Sequence, residues 1–265
     1  MPDYIFILFL NSFVIIYQKI MSTISLTDKY YWRKYWDNYE YEKIPNKVVY
    51  NQYINYLKNK ESFIEIGGFP GINAAYFYKN ICKDVSLLDF YIDKQIVSKL
   101  EAFNHIPKDT IKCIESDFFV FETTNKYDIV FSSGFIEHFD DTKDVIKRHI
   151  DLLSPNGNVL IILPNFRGLN GVLQYLFDRN NFNIHNLNSM KLNNLWKIMS
   201  ELNVHNVKIS YTKKPMLWLE PKQGIKHIII RKFVKLCSHA LKLFPIRCRL
   251  LSPYIIVFAE YGTNK

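Results

Sequence analysis

The sequence predicts an α/β chain built on a Rossmann-like, mostly parallel sheet with helices on both faces. Three observations lead there. The run Phe63-Ile64-Glu65-Ile66-Gly67-Gly68-Phe69-Pro70-Gly71 passes from a short apolar strand through a glycine-bearing turn into the helix-compatible Ala74-Ala75-Tyr76-Phe77-Tyr78. About 24 residues beyond Glu65, Val85-Ser86-Leu87-Leu88-Asp89 is a second apolar strand that also ends on a carboxylate. Strands and helices then alternate up to Val159-Leu160-Ile161-Ile162-Leu163-Pro164-Asn165, an unbroken apolar run as expected of a strand covered on both faces. In open sheets of this kind ligands bind beyond the carboxyl ends of the strands, where an acid commonly grips ribose hydroxyls.

With 265 residues, 48% hydrophobic and 22% charged, the chain can bury the core of one sizeable domain with additions. The formal charge of +9 permits an anionic partner without naming one. Cys82, Cys113, Cys237 and Cys248 show no C-x-x-C spacing, which predicts a reducing, cytoplasmic setting and no metal site. No internal repeat or low-complexity linker interrupts the chain.

From the N-terminus, Tyr4 to Tyr17 is apolar but shorter than the roughly 20 residues of a membrane span, and Asn11 and Ser12 interrupt it. It lacks the basic flank and cleavage site of a secretory signal. A packing helix, a membrane-surface anchor and a start codon placed upstream of a true start at Met21 all remain open. Residues 22–60 form a second segment. In it Asp28 to Tyr39 is dense in aromatic residues, with Trp32, Trp36 and Tyr39 at helical spacing, and reads as core packing, or, by the family resemblance set out below, as a lid over the ligand. A helix through Val48 to Leu57 leads into the first strand.

After Asp89 and the adjoining Phe90, Ile92 to Phe103 reads as a helix and Ile111 to Phe118 as a third strand carrying Asp117 near its end. Tyr127 to Ser133 is a fourth strand that runs into Gly134 and the pair Glu137-His138. Asp128 lies at its start, far from any ligand. Asp144 to Leu153 reads as a basic amphipathic helix, stopped by Ser154-Pro155-Asn156-Gly157. Beyond the fifth strand, Leu192 to Leu202 reads as a helix, Val204 to Thr212 as a sixth strand and Tyr254 to Tyr261 as the last. Gly224 to Phe244 reads as an amphipathic helix, with Ile225, Ile229, Phe233, Leu236, Cys237, Ala240 and Leu241 on one face and Arg231, Lys235, Ser238 and Lys242 on the other.

Phe69 and Ile72 occupy the second and third glycine positions of a nicotinamide-binding G-x-G-x-x-G, so that fingerprint is absent. The turn instead resembles motif I of the class I S-adenosylmethionine (SAM)-dependent methyltransferases, an acid followed by spaced glycines, with Glu65, Gly67 and Gly71 matching and Phe69 replacing the central glycine. The Glu-His pair after strand four and the Pro-x-Gly turn before strand five are similar to the same family. The resemblance covers about Phe63 to Pro164. It implies a seven-stranded sheet whose last strand is antiparallel, with SAM as cofactor. It places Glu65, Gly67, Gly68, Gly71, Asp89 and Phe90 around the cofactor, Asp117 at the adenine amino group, Phe118 over the adenine ring, and Ser132 and Gly134 along the methionine part.

By the same resemblance His138 borders the methyl group, and its imidazole can accept a proton near neutral pH from a hydroxyl acceptor. A purely orienting role stands beside that one. His185, Asn165 in a Pro-Asn-x-x-Gly insert, and Trp32 are candidates for the substrate side. The family domain is expected over residues 61–265, with inserts 165–190 and 213–253 walling the acceptor pocket. The predicted reaction is methyl transfer to oxygen of a small molecule or glycan precursor, the latter suggested by similar enzymes of polysaccharide biosynthesis. Methylation of nucleic acid or protein, and a non-catalytic binding module, stay as alternatives. The fourth strand lacks the D/N-P-P-Y/F exit of amino-methylating nucleic-acid enzymes, and no aromatic-interleaved basic repeat supports RNA binding. The basic side of 224–244 suggests peripheral contact with an inner-membrane surface, against the alternative of an ordinary packed helix.

Overall fold

The computed structural model describes residues 27–36, 39, 42–222, 224–241, 243 and 246–262. The apolar extension 1–21, the start of the 22–60 segment, and Lys242 and Phe244 lie outside the described residues. Seven strands, β1 (Ser62–Ile66), β2 (Asp84–Asp89), β3 (Ile111–Glu115), β4 (Tyr127–Ser133), β5 (Leu153–Pro164), β6 (Val204–Tyr211) and β7 (Tyr254–Tyr261), form one sheet in the order β3-β2-β1-β4-β5-β7-β6. β7 runs antiparallel to β5 and β6, and the other pairs are parallel, as the sequence predicts.

The central strands are buried on both faces, and their side chains alternate between two cores as a two-residue period requires. Phe63, Leu87, Ile129 and Phe131 join one cluster, while Ile64, Ile66, Leu88 and Val130 join the other. Helices α1 (Lys29–Trp36), α2 (Ile54–Leu57), α3 (Ile72–Asn80), α4 (Lys94–Phe103), α5 (Thr142–Asp151), α6 (Leu169–Phe177), α7 (Arg179–Asn183), α8 (Leu192–Ser200) and α9 (Ile225–Leu241) accompany the sheet. α3 and α4 cover the first cluster, and α5 and α8 the second. Phe63 stacks on Phe77 with ring centroids 4.0 Å apart, and full burial of such a side chain stabilises by about 1.5–3 kcal/mol.

Element boundaries shift where caps decide them. The Asp93 carboxylate accepts from the amides of Gln95 (2.8 Å) and Ile96 (3.4 Å), so α4 begins after it, two residues beyond the predicted start. Asp141 accepts from the Asp144 amide at 3.0 Å and starts α5 two residues early. The single helix predicted over Val48 to Leu57 is a 3₁₀ turn at Asn51–Tyr53 followed by one turn of α2. There Tyr50, Tyr53 and Leu57 are buried against the sheet, with Tyr53 stacked on Phe258.

The inserts on the β5–β7 side depart most from expectation. Residues 166–190 hold α6 and α7, which the sequence reading leaves unassigned, and these are bonded to the chain after β6. Asn170 donates from Nδ2 to the Met216 carbonyl (2.8 Å) and accepts the Trp218 amide (3.1 Å); Gln174 donates to the Trp218 carbonyl (3.2 Å). α9 lies against the same loop by its polar side: Ser238 Oγ accepts the Leu217 amide (3.0 Å) and Arg231 Nε donates to the Leu219 carbonyl (3.1 Å). Only Val234 and Ser238 of α9 are buried, while Ile225, Ile229, Phe233 and Leu236 are 78, 61, 65 and 68% exposed. The apolar face therefore points outward, because the surface beneath the helix is a hydrogen-bonding loop and not a hydrocarbon core.

Asn165, expected on the substrate side, is fully buried at the end of β5. Its Nδ2 donates to the carbonyls of Arg249 (2.7 Å) and Ser252 (2.8 Å), pinning β5 to the chain that leads into β7. Asn165→Ala leaves two carbonyls without their donor and should destabilise the fold by about 2–3 kcal/mol in urea unfolding, since each unmade buried bond costs about 1–3 kcal/mol. A loss below about 0.5 kcal/mol would contradict this clamp.

Candidate active site

The glycine turn after β1 is shaped from below. Glu65 is 1% exposed, and its carboxylate folds under the turn to accept Asn73 Nδ2 (2.8 Å) and the Ala74 amide (2.9 Å) in the first turn of α3. A Cβ on Gly68 would stand 2.1 Å from Glu65 Cγ, so only glycine leaves room for that carboxylate. Gly71, at φ +97°, caps α3 in the left-handed region that glycine tolerates. Burial pushes the Glu65 carboxyl up to about 8, against the pull of its two donors. Sequence reasoning places Glu65 on the ligand; the structure makes it the support of the loop that faces the ligand.

Above this turn lies a cavity of about 880 Å³, within the range of cofactor sites. It gathers Gly67, Asp89, Phe90, Asp117, Phe118, Gly134, His138 and Trp32 from the predicted set. Glu65, Gly68, Gly71, Ser132, Asn165 and His185 do not line it. Ser132 is completely buried within β4. The Asp89 carboxylate accepts the Phe69 amide (3.0 Å) and the Tyr91 amide (3.2 Å), and burial pushes its carboxyl up to about 6. Asp117 accepts the Phe119 amide (2.9 Å), which orders the turn after β3. Phe118 is held edge-on by Phe119, Phe135 and His149. Phe69, the departure from the glycine pattern, is a wall residue with Trp36 and Tyr91 against its ring.

α1 covers the cavity. None of its residues is buried, the exposure expected of a lid, while Trp36 also packs against the core cluster that contains Phe69. Trp32 sets its ring edge-on to His138 at 5.3 Å and donates from Nε1 to Thr27 Oγ1 at 3.0 Å. Lys29 pairs with Glu115 at 2.5 Å and stands over the Phe90 ring. An exposed pair of this kind contributes at most about 1 kcal/mol, so the lid is lightly held. Phe135, Phe139 and Arg148 complete the wall. The two phenylalanines lie inside or beside the strand-four motif, whereas nothing in the sequence marks Arg148.

At the far end, Gly134 (φ +71°) turns the chain into a short 3₁₀ segment, Ile136–His138. His138 is buried, and its Nδ1 donates to the Ile184 carbonyl at 3.0 Å. Burial and the neighbouring His185 push its pKa down to about 3, so at neutral pH the imidazole is neutral and weakly basic. His185 lies behind it, ring centroids 4.7 Å apart, with Nδ1 donating to the Asn181 carbonyl at 2.6 Å. Glu137 is 1% exposed, and no other residue hydrogen-bonds to either carboxylate oxygen. Burial pushes its carboxyl up to about 8.

The raised Glu65 carboxyl has a consequence for the protein without ligand. Its folded form binds a proton more tightly than the unfolded chain does, so this contribution to stability is full below about pH 4.5 and is lost as pH rises through about 8. Urea unfolding at pH 6 and pH 9 should show a smaller decline for Glu65→Gln than for the parent. Equal declines would remove Glu65 as the titrating group.

The family model described as a methyltransferase domain matches residues 24–209, more than half of the chain. No functionally curated protein matches it. Among solved structures it is similar to a SAM-dependent methyltransferase from Archaeoglobus fulgidus, with 15% identity, TM-score 0.50, and coverage of 79% of this chain and 90% of that one. It is also similar to phosphoethanolamine N-methyltransferase 2 of Haemonchus contortus, solved with S-adenosyl-L-methionine, with 15% identity, TM-score 0.56, and coverage of 81% and 53%. A third is the plantazolicin methyltransferase BpumL, solved with a substrate analogue and S-adenosylhomocysteine (SAH), with 13% identity, TM-score 0.51, and coverage of 81% and 80%. With the acid-ended strands, the seven-stranded order and the family match in agreement, this chain belongs to the methyltransferase domain family and has the class I SAM-dependent methyltransferase fold.

Proposed function

We propose that the cavity binds SAM and that the protein transfers its methyl group to an oxygen of a small-molecule or glycan-precursor acceptor. The observation that carries this reading is the meeting of Asp89, Asp117, Phe118, Gly67 and Gly134 on one cavity at the carboxyl ends of β1 to β4. The residues fit the group. Asp89 can accept from ribose hydroxyls, Asp117 from an adenine amino group, and Phe118 offers an aromatic ring beside the base. The backbone at Gly67 and Gly134 carries no side chain toward the ligand. SAM supplies an already activated methyl group, so the protein's part is alignment and exclusion of water, for which α1 is placed.

A hydroxyl acceptor must also lose a proton, and the buried polar trio Glu137, His138 and His185, of which His138 lines the cavity, supports oxygen over other acceptor atoms. The proteins it resembles are named for unlike acceptors, phosphoethanolamine and plantazolicin, so the acceptor class rests on this chain's own walls.

Calorimetry with SAH is the first test. Asp89→Ala should weaken binding by about 1–3 kcal/mol, the cost of lost hydrogen bonds to a charged group. In the parent, affinity should fall as pH drops through about 6, where Asp89 gains a proton, and Asp89→Asn should flatten that dependence. No heat with SAH at millimolar concentration would end the proposal. Once an acceptor is in hand, His138→Ala should lower turnover more than tenfold while SAH affinity stays within about threefold. Equal losses in both would make His138 a structural residue only.

The outward apolar stripe of α9 supports a location at an anionic lipid surface. Lys226, Lys232 and Lys235 are exposed beside Ile225, Ile229 and Phe233. Among the described residues no helix is long and apolar enough to cross a membrane, so the contact proposed is peripheral. Each basic side chain near such a surface contributes about 1 kcal/mol. The full chain should float with anionic liposomes at low salt, and Ile229→Glu with Phe233→Glu should abolish flotation. Unchanged flotation in the double variant would remove α9 from membrane contact.

A further inference from the structure

Glu137, His138 and His185 hold an arrangement that methyl transfer by alignment alone does not require. One ligating atom from each lies within 4.8 Å of the other two. Both imidazoles are tied through Nδ1 to a backbone carbonyl. A carbonyl oxygen can only accept, so the bonds from His138 Nδ1 to Ile184 and from His185 Nδ1 to Asn181 fix both rings as the tautomer with hydrogen on Nδ1. That leaves the Nε2 lone pairs available, the state found in metal-ligating histidines whose other nitrogen is tied to the backbone. Glu137 supplies the independent sign of a missing partner. Both of its oxygens are buried and no other residue bonds to them, although a buried polar group without a partner is costly. A Cβ on Gly134 would stand 3.7 Å from Glu137 Oε1, so the carboxylate lies directly beneath a residue that lines the cavity.

We propose that Glu137, His138 and His185 form a site for a divalent first-row transition ion at the end of the cavity. Two imidazole nitrogens and one carboxylate oxygen are a donor set for Zn²⁺, Mn²⁺, Fe²⁺ or Co²⁺, whereas Mg²⁺ and Ca²⁺ prefer oxygen throughout. Bonds of about 2.0–2.2 Å would draw the donors to about 3.4 Å apart, a closure within the reach of side-chain rotation. Three protein donors leave a coordination position open. On the reading that the acceptor is a hydroxyl compound, that position takes the acceptor oxygen, and the ion's charge favours loss of its proton. The ion site itself rests only on the three side chains. Its role at the acceptor rests on the methyltransferase reading.

The full chain, stripped with chelator and titrated with Co²⁺, reports on the site directly through the visible absorption of the bound ion, while calorimetry with Zn²⁺ gives the affinity. One ion per chain should bind, at least tenfold more weakly in Glu137→Gln and in His185→Ala. SAH binding by each variant, retained within about threefold, establishes that it is folded. Absence of Co²⁺ and Zn²⁺ binding in a parent that still binds SAH overturns the metal site and leaves the methyltransferase reading standing. Binding that survives both substitutions places the ion elsewhere and overturns it equally. A parent that binds the ion but not SAH keeps the site and removes its proposed role.

Discussion

A carboxylate folded beneath a glycine holds this molecule's centre in place. Glu65 is withdrawn from water at the end of β1, and its desolvation is offset by the Ala74 amide and the Asn73 side chain at the start of α3. The bond joins the strand to its helix and fixes the path of the five residues between them. Asp89 then ties the same loop from the neighbouring strand through the Phe69 amide. Remove either acid and the loop that walls the cavity loses its template, although only Asp89 faces the ligand space.

This division of labour explains how the chain departs from the spaced-glycine pattern without losing its cavity. Phe69 fills a position where a glycine would leave the backbone bare, and its ring instead builds wall against Trp36 on the lid. Gly68 is hemmed in by the Glu65 side chain. Around the cavity, aromatic residues supply much of the enclosure and a few carboxylates supply direction, the composition common to cofactor sites.

Much of the sheet was legible because its signals are local. Apolar runs ended by acids marked β1, β2 and the turn after β3, and the two-sided burial of β5 was written in an unbroken run from Val159 to Leu163. That Asp89, Asp117, Phe118 and Gly134 would gather on one cavity was legible for the same reason: each lies at or just after a strand end. What the sequence concealed depends on partners distant in the chain. Glu65 and Asn165 look like ligand residues until their bonds to Ala74 and to Arg249 and Ser252 are seen. The stripe on α9 has the spacing of a packed helix, and only the position of the 216–220 loop turns it outward. The basicity of His138 could not be read without knowing that it lies buried beside His185.

A crystal structure grown with SAH tests most directly whether the acid-ended strands form one binding site for SAM. SAH is expected in the cavity beneath α1, with its ribose hydroxyls within hydrogen-bond distance of the Asp89 carboxylate, its adenine beside Asp117 and Phe118, and its sulfur toward His138. An adenosyl group bound outside this cavity, or a cavity still without SAH at saturating concentration, would contradict it.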